Sequence, residues 1–247
     1  MAMTTDCPLP ITPETPLFID QAANIAAKVA GLSIEKIMIV MQVSQPLAEA
    51  VQGFYADWEA SKPGKLALWT YRGDVYKGLQ AGSLSNADAD WAQQHLIIAS
   101  GLYGTLRPFD GIQAYRLEMK TSLAIGRSKN LYDFWGSRLS ESVAAQAYDW
   151  VCNCCSEEYS RPIVGGLKLP VITPVFFDTK PNGSIGTVPI YSKMMRGVFA
   201  RWMIDNRITS PEQLTAFMAH GYSYDVSRSQ PNFPGFSRAK MVPLRFE

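Results

Sequence analysis

The chain has 247 residues, 47% hydrophobic and 18% charged, enough apolar material for one large domain or two small ones with a sizeable core. With 23 basic and 22 acidic residues the net charge is only +1, which excludes a polybasic protein that coats nucleic acid by bulk charge and makes any anion site a local one. The longest apolar run, Ile37 to Met41, is far short of the roughly 18 residues of a membrane span, and Asp6, Pro8 and Pro10 break up the segment where a secretory signal would lie, so a soluble cytoplasmic protein with no membrane partner is expected.

In chain order, residues 17–30 carry apolar residues at helical spacing and end at Gly31, a fitting residue for a helix C-terminus. Ser33 is a cap for a helix over 34–41, and Ser44 with Pro46 in the first turn opens another that runs to about Trp58. Residues 66–71 alternate as a strand does and enter a turn at Arg72-Gly73. Ser85 and Asp88 form a capping box for a helix through Trp91, His95 and Ile98 that closes at Ser100-Gly101. Strands are expected at 115–123, 151–155, 171–177 and 188–191, and helices at 140–150 and 194–206. Ser210-Pro211-Glu212-Gln213 is a second capping box, opening a helix that stops at His220-Gly221, where His220 serves as a C-terminal helix cation. The fold class read from this order is α+β or mixed α/β, with α+β in one mixed domain over residues 1–247 preferred, and there is no internal repeat.

Charge is unevenly spread. Residues 1–62 carry a balance of −4, whereas residues 100–138 and 191–207 carry +3 each. If the two basic segments meet, they make a positively charged cleft on a nearly neutral protein. The Gly73-Asp74-Val75-Tyr76-Lys77-Gly78-Leu79 and Ser100-Gly101-Leu102-Tyr103-Gly104-Thr105-Leu106-Arg107-Pro108 runs are turns that carry polar side chains. A Gly-Leu-Tyr-Gly turn leaving a helix can present successive backbone N–H groups to a phosphate, with Arg107 adding a guanidinium fork; the plainer alternative is a helix C-cap followed by a hairpin.

Several chemistries are excluded by motif. The chain has no phosphate-binding Gly-x-x-x-x-Gly-Lys-Ser/Thr loop, no dinucleotide-binding Gly-x-Gly-x-x-Gly after a strand, no His-Glu-x-x-His and no Gly-x-Ser-x-Gly elbow. No cofactor is expected. Cys152, Cys154 and Cys155 lack the spacing of a metal site and the only histidines, His95 and His220, are remote in sequence, so no metal is expected. The trio reads as small hydrophobes on a strand, with Glu157 and Glu158 raising their thiol pKa values; Cys152 and Cys154 share one face and are expected to be buried and unreactive, leaving Cys7 as the most accessible thiol.

The run Gly73-Asp74-Val75-Tyr76-x-Gly78-Leu79, Ala92-Gln93-Gln94-His95-Leu96, Ser100-Gly101-Leu102-Tyr103-Gly104-x-Leu106-Arg107-Pro108-x-Asp110, Tyr115-Arg116-Leu117-Glu118-Met119 and Leu131-Tyr132-x-Phe134-Trp135-Gly136 resembles the YaaA family of peroxide-stress proteins. Ser156-x-Glu158-Tyr159, Pro174-Val175-Phe176-x-Asp178, Tyr191-x-Lys193-x-x-Arg196-Gly197, Asn206-Arg207, Pro211-Glu212-Gln213-Leu214-Thr215 and Gly221-Tyr222 continue it in the same order, so that the resemblance covers about residues 45–225.

The resemblance implies an α+β fold with a positively charged cleft and a helix-hairpin-helix element, a role in limiting oxidative damage, and binding of duplex DNA. The hairpin carries over to Gly101, Tyr103 and Gly104, and the anion-binding cations to Arg107, Arg116, Lys193 and Arg196. Two departures stand against this. The family's opening Ser-Pro-Ala-Lys motif is absent, with Met1-Ala2-Met3-Thr4-Thr5-Asp6-Cys7 in its place, and a family Lys-Lys pair is reduced to Lys193-Met194. Fewer cations point to the alternative of an enzyme that acts on a small anionic metabolite, with catalytic residues drawn from Lys193, Glu118, Glu158, Asp74 and Tyr115 and arginines orienting the anion.

Overall fold

Helix α1 (Ile19–Ala30) buries Ala22, Ile25, Ala26 and Val29, one stripe at the spacing of a helix face. Ser33 accepts the Lys36 amide at 3.3 Å and so caps α2 (Ile34–Met41). Helix α3 (Gln45–Ala56) starts after an extended Ser44 with Pro46 in its first turn, where a missing N–H leaves no bond unmade. Strand β1 is only Lys65–Leu66, and the predicted strand beyond it is instead one helical turn, α4 (Ala67–Thr70), in which Thr70 Oγ1 donates to the Leu66 carbonyl at 2.8 Å. Leu66 through Thr70 are all buried, so their alternation distinguished no inner from outer face.

Helix α5 (Asp74–Leu79) comes next, then α6 (Asn86–His95), whose capping box is complete: Asp88 accepts the Ser85 amide and hydroxyl while Ser85 Oγ accepts the Asp88 amide. α6 ends at His95, short of the predicted boundary, because Ile98–Ser100 forms β2 and pairs antiparallel with β3 (Gly104–Leu106). Strand β4 (Gly111–Ile112) pairs with β1. In the predicted strand 115–123, Tyr115, Leu117, Met119, Thr121 and Leu123 are indeed buried in alternation, yet the segment belongs to no strand. Period two records that one side faces the core; a ladder also needs a neighbouring chain.

Helices α7 (Leu131–Trp135) and α8 (Arg138–Ala144) follow, the latter shorter than the predicted 140–150. Strand β5 (Val151–Cys152) precedes α9 (Glu157–Val164) and pairs in parallel with β6 (Val171–Ile172). Pro174, unable to donate to a ladder, divides the predicted 171–177 strand into β6 and β7 (Val175–Thr179). Strand β8 (Ile185–Gly186) leads to α10 (Pro189–Asp205), which absorbs the predicted strand at 188–191 because Pro189 suits the first position of a helix. The Ser210 capping box opens a 3₁₀ turn, Pro211–Ala216, and no longer helix. His220 (φ 49°) and Gly221 (φ 81°) then make the tight turn between β9 (Met218–Ala219) and β10 (Tyr222–Tyr224), so His220 ends no helix; β11 (Gly235–Arg238) is last.

The structure, a computed structural model, describes residues 7–62, 64–240, 242–244 and 246. Residues 1–6, which stand with Cys7 where the family's Ser-Pro-Ala-Lys motif would lie, are outside the described residues. The architecture is mixed α+β, and the chain divides into two compact units: residues 1–71, 93–142 and 157–166, and residues 72–92, 143–156 and 167–247. In the first, the β2–β3 hairpin and the β1–β4 pair are the only sheet pairs among the described residues, and Trp135 is fully buried with its Nε1 donating to the Gly101 carbonyl at 3.1 Å. The second unit holds a sheet ordered β8-β7-β11-β10-β9, antiparallel except for β7 with β11. Its core is aromatic: Phe176, Phe199, Phe217 and Phe236 lie 4.7 to 6.1 Å apart between ring centroids. No helix among the described residues is long and apolar enough to cross a membrane.

Candidate functional site

In the first unit the Gly-Leu-Tyr-Gly turn is a structural element of the β2–β3 hairpin. Gly101, Leu102, Tyr103 and Gly104 are buried, and the Leu102 and Tyr103 amides donate to Ser100 Oγ at 3.2 and 3.0 Å. Those N–H groups are therefore taken within the chain and cannot turn to a phosphate. The glycines are there for space: a side chain at Gly101 would meet the Leu117 carbonyl, and Gly104, at φ 71°, lies against Trp135 and Leu139. With α6 before it and β4 after it, the segment is a helix followed by a β-hairpin, and no second helix flanks the turn.

Tyr115 belongs to a chain of hydroxyls, and the Tyr103 ring lies edge-on to it at 5.5 Å between centroids. Tyr71 Oη lies 2.7 Å from Tyr115 Oη, which lies 2.7 Å from Ser100 Oγ. Tyr103 Oη accepts the Trp58 indole N–H and the Gln113 amide, both at 3.0 Å. Burial pushes the Tyr115 phenol well above the usual value, with the neighbouring Tyr71 adding to the shift, so Tyr115 holds its proton and serves as a donor.

Arg107 is exposed, and its backbone amide donates to Asp110 Oδ2 at 2.8 Å. Asp110 is buried, and that burial raises its carboxyl to about 6 against the lowering effect of the Arg107 amide, with Glu14 adding a further upward push. Arg116 and Glu118 project from the extended 115–123 segment on the side opposite the buried residues and approach to 3.4 Å. Lys120 Nζ bridges Glu118 at 3.1 Å and Glu158 at 3.8 Å, while its amide donates to Glu158 Oε1 at 3.3 Å. Three of the candidates, Arg116, Glu118 and Glu158, thus fall into one chain of alternating charge, joined by a Lys120 that sequence reasoning had not singled out. Tyr132 donates to the Glu158 carbonyl at 3.1 Å, and the Arg161 guanidinium lies 5.2 Å from its ring.

In the second unit Asp74 opens α5 and pairs with Lys77 at 3.0 Å. α5 packs closely on α10, which carries Lys193, exposed, and Arg196, half-buried. Arg196 Nη1 donates to the Cys155 carbonyl at 3.1 Å, so this cation is tied to the segment after β5.

That segment departs from expectation. Cys152 and Cys154 do share a side, with Sγ atoms 3.9 Å apart, but each is half-buried, as is Cys7. The hydrogen bond from Cys152 lowers the Cys154 thiol against the opposing effect of burial, and Arg196 lowers it further. Cys152 is correspondingly raised, chiefly by donating to Cys154, and burial pushes Cys155 up to about 12. Glu157 and Glu158, expected to govern these thiols, are not among the causes. Burial also raises the Cys7 thiol above its ordinary value, against the Leu9 amide that its sulfur accepts. Among the described residues no group of three or more His, Cys, Asp or Glu is placed to hold a metal ion.

The comparisons agree with the motif series. The family model described as "Peroxide stress protein YaaA" matches residues 1–228. A UPF0246 protein of Bordetella petrii is 41% identical, with 94% of each chain covered. UPF0246 proteins of Burkholderia multivorans, at 42% identity over 87% of this chain and 86% of that one, and of Ruegeria pomeroyi, at 41% identity over 90% of each, are similar along the same length. The chain belongs to the YaaA family of peroxide stress proteins, also grouped as UPF0246.

Proposed function

We propose that this protein protects against peroxide stress and does so by binding duplex DNA through phosphate contacts. The observation that carries the reading is the family match over residues 1–228, joined by the retention of Arg107, Arg116 and Lys193 as accessible cations. The binding rests on the side chains of these three cations, because the Leu102 and Tyr103 amides of the turn are engaged by Ser100 Oγ and Arg196 Nη1 by the Cys155 carbonyl. A binder of this kind reads charge and not sequence, and its affinity falls steeply with salt.

Fluorescence-anisotropy titration of a labelled duplex at several salt concentrations tests it. The slope of log affinity against log salt should be about −0.9 for each phosphate neutralised. Arg107→Ala and Lys193→Ala should each make that slope shallower by about one contact. No binding at low salt, or binding indifferent to both substitutions, would sink the reading.

The Arg116–Glu118–Lys120–Glu158 chain favours a second reading, an enzyme acting on a small anionic metabolite, since carboxylates interleaved with cations repel a polyanion yet can orient a small anion and relay its proton. A thermal-shift screen against phosphorylated and carboxylated metabolites separates the two: a rise in melting temperature that Arg116→Ala abolishes supports the enzyme.

A further inference from the structure

The cysteines after β5 and the Arg196 side chain that reaches them from α10, all in the second unit, are not used by either reading. Cys152 Sγ and Cys154 Sγ are in van der Waals contact at 3.9 Å, closer than two extended residues of one strand face need bring them. Asn153 between them is pinned to the other side: its amide donates to the Ile172 carbonyl at 2.7 Å, its Nδ2 to Thr173 Oγ1 at 3.2 Å, and its Oδ1 accepts the Cys155 amide at 3.1 Å. The clamp leaves the two sulfurs facing each other. Arg196 is fixed beside them by its bond to the Cys155 carbonyl, and its Nε is buried with no hydrogen-bond partner. One helical turn earlier on the same face of α10, Ser192 Oγ is likewise buried and unpartnered. Two donors are thus left unpaired on the α10 face that carries the Arg196 anchor, a costly arrangement for groups with no ligand to meet.

We propose that Cys154 and Cys152 form a peroxide-reactive dithiol, with Cys154 as the attacking sulfur, Cys152 as the resolving one and Arg196 as a positioning cation. The hydrogen bond between the two sulfurs lowers the Cys154 thiol and raises the Cys152 thiol, with Arg196 adding to the lowering, and those directions agree with that division of roles. The Cys154 thiolate attacks one oxygen of a hydroperoxide, an S–O bond forms, the O–O bond breaks, and the departing oxygen takes a proton to leave as water or an alcohol. Cys152, having given up its proton, attacks the Cys154 sulfenic acid; the S–S bond forms, the S–O bond breaks, and hydroxide leaves as water on taking that proton. The balance is two thiols and one hydroperoxide to one disulfide, one water and one water or alcohol. Closing the bond brings the sulfurs from contact to about 2.05 Å, a movement left to Cys154, which lies past the end of β5. The proposal deepens the peroxide-stress reading by naming a target for the oxidant, and it stands apart from DNA binding, since either assay can fail without the other.

The test is hydrogen peroxide added to the native full-length chain, followed by thiol counting after denaturation, dimedone labelling and peptide mapping. The expected result is loss of two of the four thiols, a Cys152–Cys154 link reversed by dithiothreitol, and an unchanged rate in Cys155→Ser. Cys152→Ser should arrest as a dimedone-labelled Cys154, Cys154→Ser should slow thiol loss about tenfold or more, and Arg196→Gln should slow it with circular dichroism unchanged. Four intact thiols after treatment, a Cys154–Cys155 link, first labelling at Cys7, or wild-type oxidation in Cys154→Ser would each overturn the proposal.

Discussion

The Ser100 hydroxyl and the Tyr115 phenol, 2.7 Å apart, share a proton whose direction is fixed by their neighbours. Ser100 Oγ already accepts two amides, from Leu102 and Tyr103, so its lone pairs are used and it must donate to Tyr115. Tyr115 in turn donates to Tyr71, at 2.7 Å. Ser100→Ala strands two buried amides and a phenol and should cost about 3 kcal/mol, whereas Tyr115→Phe, which leaves one hydroxyl proton unpaired, should cost about 1–2 kcal/mol. Urea denaturation of the two variants checks the order.

Two glycines should respond oppositely to the same methyl group. Gly197 lies where α10 crosses α5, and a Cβ there would run into the Val75 carbonyl; Gly78 meets the Met194 carbonyl in the same way. Gly197→Ala has to push the helices apart and should cost about 3 kcal/mol or more. Gly53, exposed within α3, has nothing within 4 Å of the added Cβ, so Gly53→Ala should stabilise by about 0.5–1 kcal/mol through helix propensity. Paired thermal melts of the two variants provide the check.

Asp110 makes stability depend on pH in a direction opposite to that of most carboxylates. Its folded pKa, about 6, lies above the ordinary value of 3.8, so between those limits the folded chain holds more protons than the unfolded one. Stability from this group is therefore unaffected below the unfolded value, falls as pH rises from there to about 6, and levels off above it, a loss of about 3 kcal/mol at most. Asp110→Asn keeps an oxygen for the Arg107 amide and should flatten that part of the profile, read as denaturation midpoint against pH from 4 to 7 (about the range set by the shift).

Asp178 and Arg238 form a buried pair at 2.6 Å between β7 and β11, with Arg238 held between the Tyr191 and Tyr222 rings at 4.8 and 4.7 Å and Tyr222 donating to Asp178 at 2.8 Å. Asp178→Ala leaves a guanidinium uncompensated in the interior and should cost about 3–5 kcal/mol. Asp178→Leu with Arg238→Met removes both charges and should recover much of that loss; a double variant no better than Asp178→Ala would show that the pair is not electrostatically coupled.

What the sequence determined by itself was whatever depends on residues a few positions apart. The caps at Ser33 and Ser85, the stripe that buries Ala22, Ile25, Ala26 and Val29, and the turn-forming glycines are local contests between a side chain and its own backbone, and the motif series from Gly73 to Tyr222 carried the family. The tertiary structure decided which groups remain available for chemistry. Gly101 to Gly104 looked like an anion cradle until Ser100 took its amides and Trp135 covered it; Arg196 looked like a free cation until it met a carbonyl 41 residues away; and Cys154 looked like a buried hydrophobe until that arginine was brought beside it. Hydrogen-bond partners and the electrostatic surroundings of a thiol are set by packing between segments distant in the chain, and no local pattern encodes which segment arrives.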